Sequence, residues 1–251
     1  MDEARETIEG RNPVFEALRA GTPIEKILVS ETAQRGTVSK IVSLAKEKKI
    51  PVQFVKPQKV DAASQTDANQ GVVAICSAAE YATVEDILAV AERKGVPPFV
   101  IIADEITDPH NLGAIIRTAN AAGAHGVIIS KHRCAGVNAV VAKTSAGAVS
   151  FTPVAKVNNL ARTIDELKQR GLWVTGADMA GEQDIYHADM RGPVALVVGS
   201  EGKGISRLVR EKCDFLVKIP MLGEINSLNA SVAAAVVMYE IVRQRQAESP
   251  A

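Results

Sequence analysis

Aromatic side chains make up only 4% of these 251 residues, and Trp173 is the single tryptophan. So few rings leave little with which to stack splayed-out nucleobases or clamp a flipped one. Cysteine is scarcer still. Cys76, Cys134 and Cys213 lie far apart with no Cys-x-x-Cys pair, and we read them as reduced, mostly buried thiols in the cytoplasm. Charge of either sign is not in excess, because 29 Lys+Arg balance 29 Asp+Glu. The bulk basic attraction expected of many nucleic-acid binders is therefore missing, which leaves only local patches for that purpose. No apolar run approaches the length of a membrane span. The segment Met1-Asp2-Glu3-Ala4-Arg5-Glu6 lacks the apolar core of a signal peptide. His110, His125, His132 and His187 show no metal-ligand spacing, so no metal is expected. Gly-x-Ser-x-Gly does not occur, which leaves a serine-hydrolase reading little support.

What is present suits an ordinary chain of one or two domains, with 47% hydrophobic and 23% charged residues. There is no internal repeat. Strands and helices alternate twice, so the expected class is α/β. Residues 1–78 read as a small α/β domain. Within it, Asn12-Pro13 is a helix start with Asn12 as cap, Gly21 is a helix stop, and short strands fall at Ile27-Leu28-Val29, Val52 to Val55 and Val72 to Ile75. Residues 79–98 read as a linker carrying one helix, capped by Thr83 with Asp86 three residues on and closed by Gly95 and Pro97-Pro98. Residues 99–251 hold five candidate strands, at Phe99 to Ala103, Gly126 to Ile129, Leu172 to Thr175, Val194 to Val198 and Phe215 to Ile219. With helices between them, they imply a parallel sheet covered on both faces.

Three stretches of the last part carry polar chemistry. Asp108-Pro109-His110-Asn111-Leu112-Gly113-Ala114-Ile115-Ile116-Arg117 follows the first of those strands. Asn111 sits where a helix cap would sit. Arg117 has no carboxylate at Gly113 or Ala121 with which to pair, so it is either a solvated arginine or a donor fork for phosphate. Gly199-Ser200-Glu201-Gly202-Lys203-Gly204 follows a fully apolar strand. Its glycine order is wrong for a dinucleotide fold, and Glu201 serves either as a cap or as a site carboxylate. Ile219-Pro220-Met221 leads to Ser227-Leu228-Asn229, a capping pair feeding an alanine-rich helix. Two such loops at the carboxyl ends of neighbouring strands would enclose a ligand pocket.

Taken in order, these stretches resemble the SpoU family of RNA ribose 2'-O-methyltransferases, over about Phe99 to Gln246. The stretch Ile8-Glu9-Gly10-Arg11-Asn12-Pro13-Val14 also looks like the start of the RNA-binding domain found on the family's large-subunit ribosomal RNA guanosine enzymes. The resemblance implies a deep trefoil knot in residues 99–251, a homodimer whose active site draws on both subunits, and S-adenosyl-L-methionine as methyl donor. It implies that Gly199, Gly204, Ile219 and Leu228 hold the cofactor. Catalysis would fall to Arg117, with Asn111, Glu201, Ser227 and Asn229 completing the site, and Arg11 and Asn12 would touch RNA. It gives Arg117 the role of base. A guanidinium stays protonated in water, however, so a phosphate clamp that orients the hydroxyl is the alternative role. The implied reaction is methyl transfer to the ribose 2'-hydroxyl of a guanosine in 23S ribosomal RNA. The competing readings are a transfer-RNA enzyme, a ribosomal adenosine enzyme of the thiostrepton-resistance kind, and a catalytically silent RNA-binding assembly protein.

Overall fold

The computed structural model describes residues 7–247 other than 21, 23, 34, 65, 67, 77–80 and 225. The chain divides into two compact units, Met1–Glu80 and Tyr81–Ala251.

The first unit runs β1 (Thr7–Glu9), α1 (Arg11–Ala20), β2 (Ile24–Ser30), α2 (Arg35–Glu47), β3 (Val52–Val55), α3 (Pro57–Ala62) and β4 (Val72–Cys76). Its sheet has the order β1-β4-β2-β3, with only β2 and β3 parallel. Strand periodicity sets its two layers. Ile27, Val29, Val72 and Ala74 pack with Val14 and Leu18 of α1 and Ile41 of α2. Leu28, Val73 and Ile75 face the other way, against Val60 of α3. The expected start of α1 needs correction. The helix begins at Arg11, and Val14 N donates to Gly10 O at 3.1 Å, so Asn12 lies inside the first turn and does not cap it. Gly21, the expected stop, lies outside the described residues, as does the expected domain boundary at residue 78. Strand β1 and helix α3 were not expected; three residues and six residues are too short to show a period.

The second unit begins with α4 (Val84–Lys94), capped reciprocally by Thr83 and Asp86. Its Ile87 is fully buried in one of the unit's two core clusters. There follow β5 (Phe99–Ala103), α5 (Pro109–Ala121), β6 (Gly126–Ser130), α6 (Ala139–Thr144), β7 (Val154–Val157), α7 (Leu160–Gln169), β8 (Trp173–Ala177), β9 (Gln183–Asp184), β10 (Val194–Val198), α8 (Arg207–Lys212), β11 (Phe215–Lys218) and α9 (Ala230–Ala247). All seven strands are parallel, in the order β7-β6-β5-β10-β8-β11-β9. The central strands β5 and β10 are buried throughout, as a sheet covered on both faces requires. Phe99, Ile101, Leu196 and Val198 pack toward α5 and α9, whereas Val100, Ile102, Ala195 and Val197 pack toward α4, α7 and α8. Strands β7 and β9 went unpredicted because both are short edge segments, four residues interrupted by Lys156 in β7 and two polar residues in β9. Among the described residues no helix is long and apolar enough to cross a membrane.

The strand order places the site. From β5 the chain adds β6 and β7 on one side, then crosses to build β8, β10 and β11 on the other. The loops leaving the carboxyl ends of β5, β8, β10 and β11 therefore converge beside this switch, where open parallel sheets take their ligands.

His125 locks the opposite end of β5. Its Nδ1 accepts from Phe99 N at 2.9 Å and its own N donates to Phe99 O at 2.7 Å. Burial, reinforced by the positive charges of Lys94 and Arg245, pushes its pKa down to about 4. The unfolded chain therefore binds a proton near pH 6.5 that the folded chain refuses. The stabilisation is complete above pH 6.5 and is lost as pH falls toward 4, a change of at most about 3 kcal/mol. Urea unfolding of His125→Gln beside the wild type checks this. The variant's deficit at pH 7 is expected to shrink as pH falls to 4, and a deficit constant with pH contradicts it.

Candidate active site

Three loops at the carboxyl ends of β8, β10 and β11 enclose a cavity of about 510 Å³. The first brings Asp178 and Met179, the second is residues 199–204, and the third brings Ile219, Met221, Ser227 and Leu228. The second loop folds on itself: Ser200 N donates to Gly204 O at 3.1 Å and Gly204 N to Ser200 O at 2.9 Å. That closure explains the glycine at its start. A Cβ on Gly199 would stand 2.1 Å from the Gly204 carbonyl carbon, a distance no side chain tolerates. Gly204 itself has φ +66, and it lies over an ion pair of 2.7 Å between Arg210 and the buried carboxylate of Asp178.

A second cavity, of about 470 Å³, lies against the first. Ser200, Glu201, Lys203 and Ala230 line both. The far wall comes from the segment after β5, including Glu105, Asp108 and Asn111, together with Arg133.

The shared wall is held by a network of three of the expected site residues. Asn111 Nδ2 donates to Glu201 Oε1 at 3.2 Å, and Asn229 Nδ2 donates to Asn111 Oδ1 at 3.0 Å. Asn229 Nδ2 also makes a very short bond to Glu201 Oε1, and Ala230 N approaches the same oxygen at 3.4 Å. Glu201 thus rests at the N-terminus of α9, where the helix dipole favours a carboxylate. Asn229 caps that helix at the same time. Its Oδ1 accepts from Ser231 N at 3.0 Å and Val232 N at 3.3 Å.

Asn111 is free for this network because it is not the cap of α5. That role belongs to Asp108, whose side chain accepts from His110 N at 2.9 Å, with Pro109 opening the helix. This corrects the cap expected from sequence, and the reason is local: proline at the first helical position fixes the start three residues earlier.

The other expected residues divide. Gly199, Gly204, Ile219, Ser227 and Leu228 all line the first cavity. Arg117 lines neither. It is exposed, six residues beyond Asn111 on α5, and makes no hydrogen bond or ion pair with the described residues. Six residues turn about 600°, so the two side chains leave the helix on different faces. In the first unit, Arg11 Nε donates to Gln70 O at 3.1 Å, and Asn12 is exposed. Sequence reasoning missed Glu105, Arg133, Asp178 and Lys203; only their places directly after strands or among glycines could have marked them.

Two further groups narrow the chemistry. Burial pushes the Cys134 thiol up to about 11 and that of Cys213 up to about 12, so both stay protonated and are poor nucleophiles at neutral pH. Among the described residues, no three or more His, Cys, Asp or Glu side chains gather where they could hold a metal ion.

The family model described as "SpoU rRNA Methylase family" matches residues 98–239. The chain belongs to the SpoU rRNA methylase family. A second model, for RNA 2'-O ribose methyltransferase substrate binding, matches residues 7–82. The chain is 47% identical to YacO of Bacillus subtilis, over 98% of both chains; that protein is provisionally named a TrmH family tRNA/rRNA methyltransferase. Among solved structures it resembles the SpoU methyltransferase AviRb of Streptomyces viridochromogenes in complex with AdoMet. There the TM-score is 0.64 and the identity 26%, covering 98% of this chain and 92% of AviRb. It also resembles the AdoMet-bound rRNA methyltransferase of Sinorhizobium meliloti, with TM-score 0.57 and 26% identity over 94% of this chain and 86% of the other. As a member of the SpoU family, the chain is an RNA methyltransferase with an α/β fold built on a parallel sheet.

Replacing Asn229 tests the wall. Asn229→Ala removes the α9 cap and two bonds of the network, and is expected to cost about 1–2 kcal/mol in denaturant unfolding. Asn229→Asp keeps a capping oxygen but sets a second carboxylate beside Glu201. Its loss is therefore expected to be larger at pH 8 than at pH 4.

Proposed function

We propose that this SpoU protein transfers the methyl group of S-adenosyl-L-methionine to the ribose 2'-hydroxyl of a guanosine in 23S ribosomal RNA, in the cytoplasm, as a homodimer. The observation that carries the reading is the wall of Ser200, Glu201 and Lys203 common to two cavities. A donor in one and a nucleotide in the other would meet at the rim that these residues share, where a direct in-line transfer needs methyl and hydroxyl about 3 Å apart with nothing between them.

The first cavity suits the donor. Gly199 and Gly204 present bare backbone, and Ile219, Leu228, Met179 and Met221 add apolar and thioether surface for an adenosine and its sulfur-bearing tail. When bound, S-adenosylmethionine supplies a methyl group already activated by its sulfonium. The remaining task is to position a weak nucleophile and take its proton. Asn111, Glu201 and Asn229 fix the loop that lines both cavities, and Ser227 offers a hydroxyl on the donor side. Arg117 clamps the substrate phosphate and orients the hydroxyl, whose proton leaves late, through water, as the methyl passes from sulfur to the ribose oxygen. Because Arg117 faces neither cavity of its own protomer, the reading includes a dimer in which each protomer lends this cation to the other's site. The trefoil knot belongs to the same proposal, supported by the match of residues 98–239 to the SpoU family model.

The first unit is assigned to RNA, with Arg11 and Asn12 on its surface; the support is its match to the substrate-binding model. A transfer RNA is the second reading, since the name of YacO covers both RNA classes.

Two outcomes are expected. RNA treated with enzyme and S-adenosylmethionine should show a gap in its alkaline hydrolysis ladder, because a 2'-O-methyl group removes the nucleophile for cleavage. A substrate with 2'-deoxyguanosine at that position should accept no methyl. Transfer to the deoxy substrate would mean a base methyltransferase, and a gap in transfer RNA alone would favour the second reading. Separately, Arg117→Ala is expected to lose methyl transfer while calorimetry shows S-adenosylmethionine binding nearly unchanged. Wild-type turnover in that variant would remove Arg117 from the mechanism.

A further inference from the structure

The second cavity has three carboxylates in its lining, and they are not equivalent. Asp108 is committed to capping α5 through His110 N. Glu201 is committed to Asn111, Asn229 and Ala230 N. Glu105 alone bonds only to a side chain that is free to leave. Its Oε1 accepts from Arg133 Nη1 at 3.1 Å, and that arginine's side chain is 80% exposed while Glu105's is 24% exposed.

The two partners share a second property. Glu105 has φ 53 and Arg133 has φ 58, a left-handed conformation that costs a residue with a Cβ and costs glycine nothing. Glu105 directly follows β5 and its buried neighbour Asp104, whose carboxylate accepts from Ser206 N at 2.7 Å. The backbone is therefore fixed there, and a carboxylate is carried into the cavity in spite of the strain. Lys49, Gln70 and Ala146 share the conformation away from either cavity, so it is the place in the cavity wall, with an exposed partner, that singles out Glu105.

We infer that Glu105 reads the base of the target nucleotide, and that the base is guanine. The inference rests on the methyl-transfer reading above. Guanine is the only one of the four RNA bases with two adjacent donors, N1–H and N2–H, on its pairing edge. One carboxylate accepts both. Adenine and cytosine turn an acceptor toward that carboxylate, and uracil flanks a single donor with two acceptors. Single-stranded RNA is recognised along this edge. In this structure Arg133 neutralises the carboxylate; on binding, the base takes its place and the guanidinium remains at the cavity mouth. The aromatic-poor composition fits this mode, which needs no stacking platform.

The test uses the full chain and a transcript of large-subunit RNA spanning the nucleotide mapped by alkaline hydrolysis. The transcript is made with guanosine, inosine or adenosine at that position. Inosine keeps N1–H and lacks the N2 amine. Under single turnover the wild type is expected to prefer guanosine over inosine by roughly tenfold or more, the value of one hydrogen bond to a charged group. Glu105→Gln sets an amide donor against one of guanine's donors, and Glu105→Gly removes the carboxylate while relieving φ. Both are expected to lose most of the guanosine preference, with S-adenosylmethionine affinity unchanged by calorimetry. If Glu105→Gly keeps the wild-type preference, or the wild type methylates inosine or adenosine as fast as guanosine, Glu105 does not read the base. Absence of any ribose methylation by the wild type overturns the underlying reading instead, and is told apart because it shows before any variant is compared.

Discussion

Glu201 sits where three separate parts of the second unit meet: the glycine loop after β10, the first turn of α5 through Asn111, and the start of α9 through Asn229 and Ala230 N. A carboxylate placed among donors in this way is stabilised by the helix end and by both amides at once. The loop that carries it is also constrained from below. Gly199 lies against the Gly204 backbone, and Gly204 lies over the Asp178–Arg210 pair. The position of one side chain therefore sets the boundary between two cavities, and the catalytic reading of this SpoU protein depends on that boundary.

The parallel sheet explains why such a meeting point exists. Each strand sends alternate residues to opposite layers, so helices on both faces are anchored and the strand ends are left to loops. The reversal of winding where β5 meets β10 brings four of those loops to one place. Segments some ninety residues apart, such as Asn111 and Glu201, come within a hydrogen bond by this route.

Much of this was legible in the sequence, and the limits have physical causes. The strand Val194 to Val198 announced itself as an unbroken apolar run because it is central and buried on both sides. Thr83 with Asp86 announced a helix start because both halves of a reciprocal cap are local. The edge strands β7 and β9 gave no such signal. The caps of α1 and α5 were misplaced because Asn12 and Asn111 are good caps by type, whereas Gly10 and Asp108 occupy the positions. At the site, Asn111, Glu201 and Asn229 were marked by motif order; that they touch one another is a property of the strand order and could not be read locally. Glu105, Arg133 and Asp178 were invisible for the same reason, since a charged residue after a strand looks like any solvated loop. Arg117 shows the converse. The sequence singled it out, yet it lines neither cavity of this chain.

Two cavities with one wall obey a linkage relation. A ligand that shifts the Glu201 loop as it enters one cavity alters affinity in the other, and the same factor applies in the reverse direction. For any two ligands, one in each cavity, the order of arrival is then a matter of kinetics alone, and the free energy of the ternary complex is the same by either path.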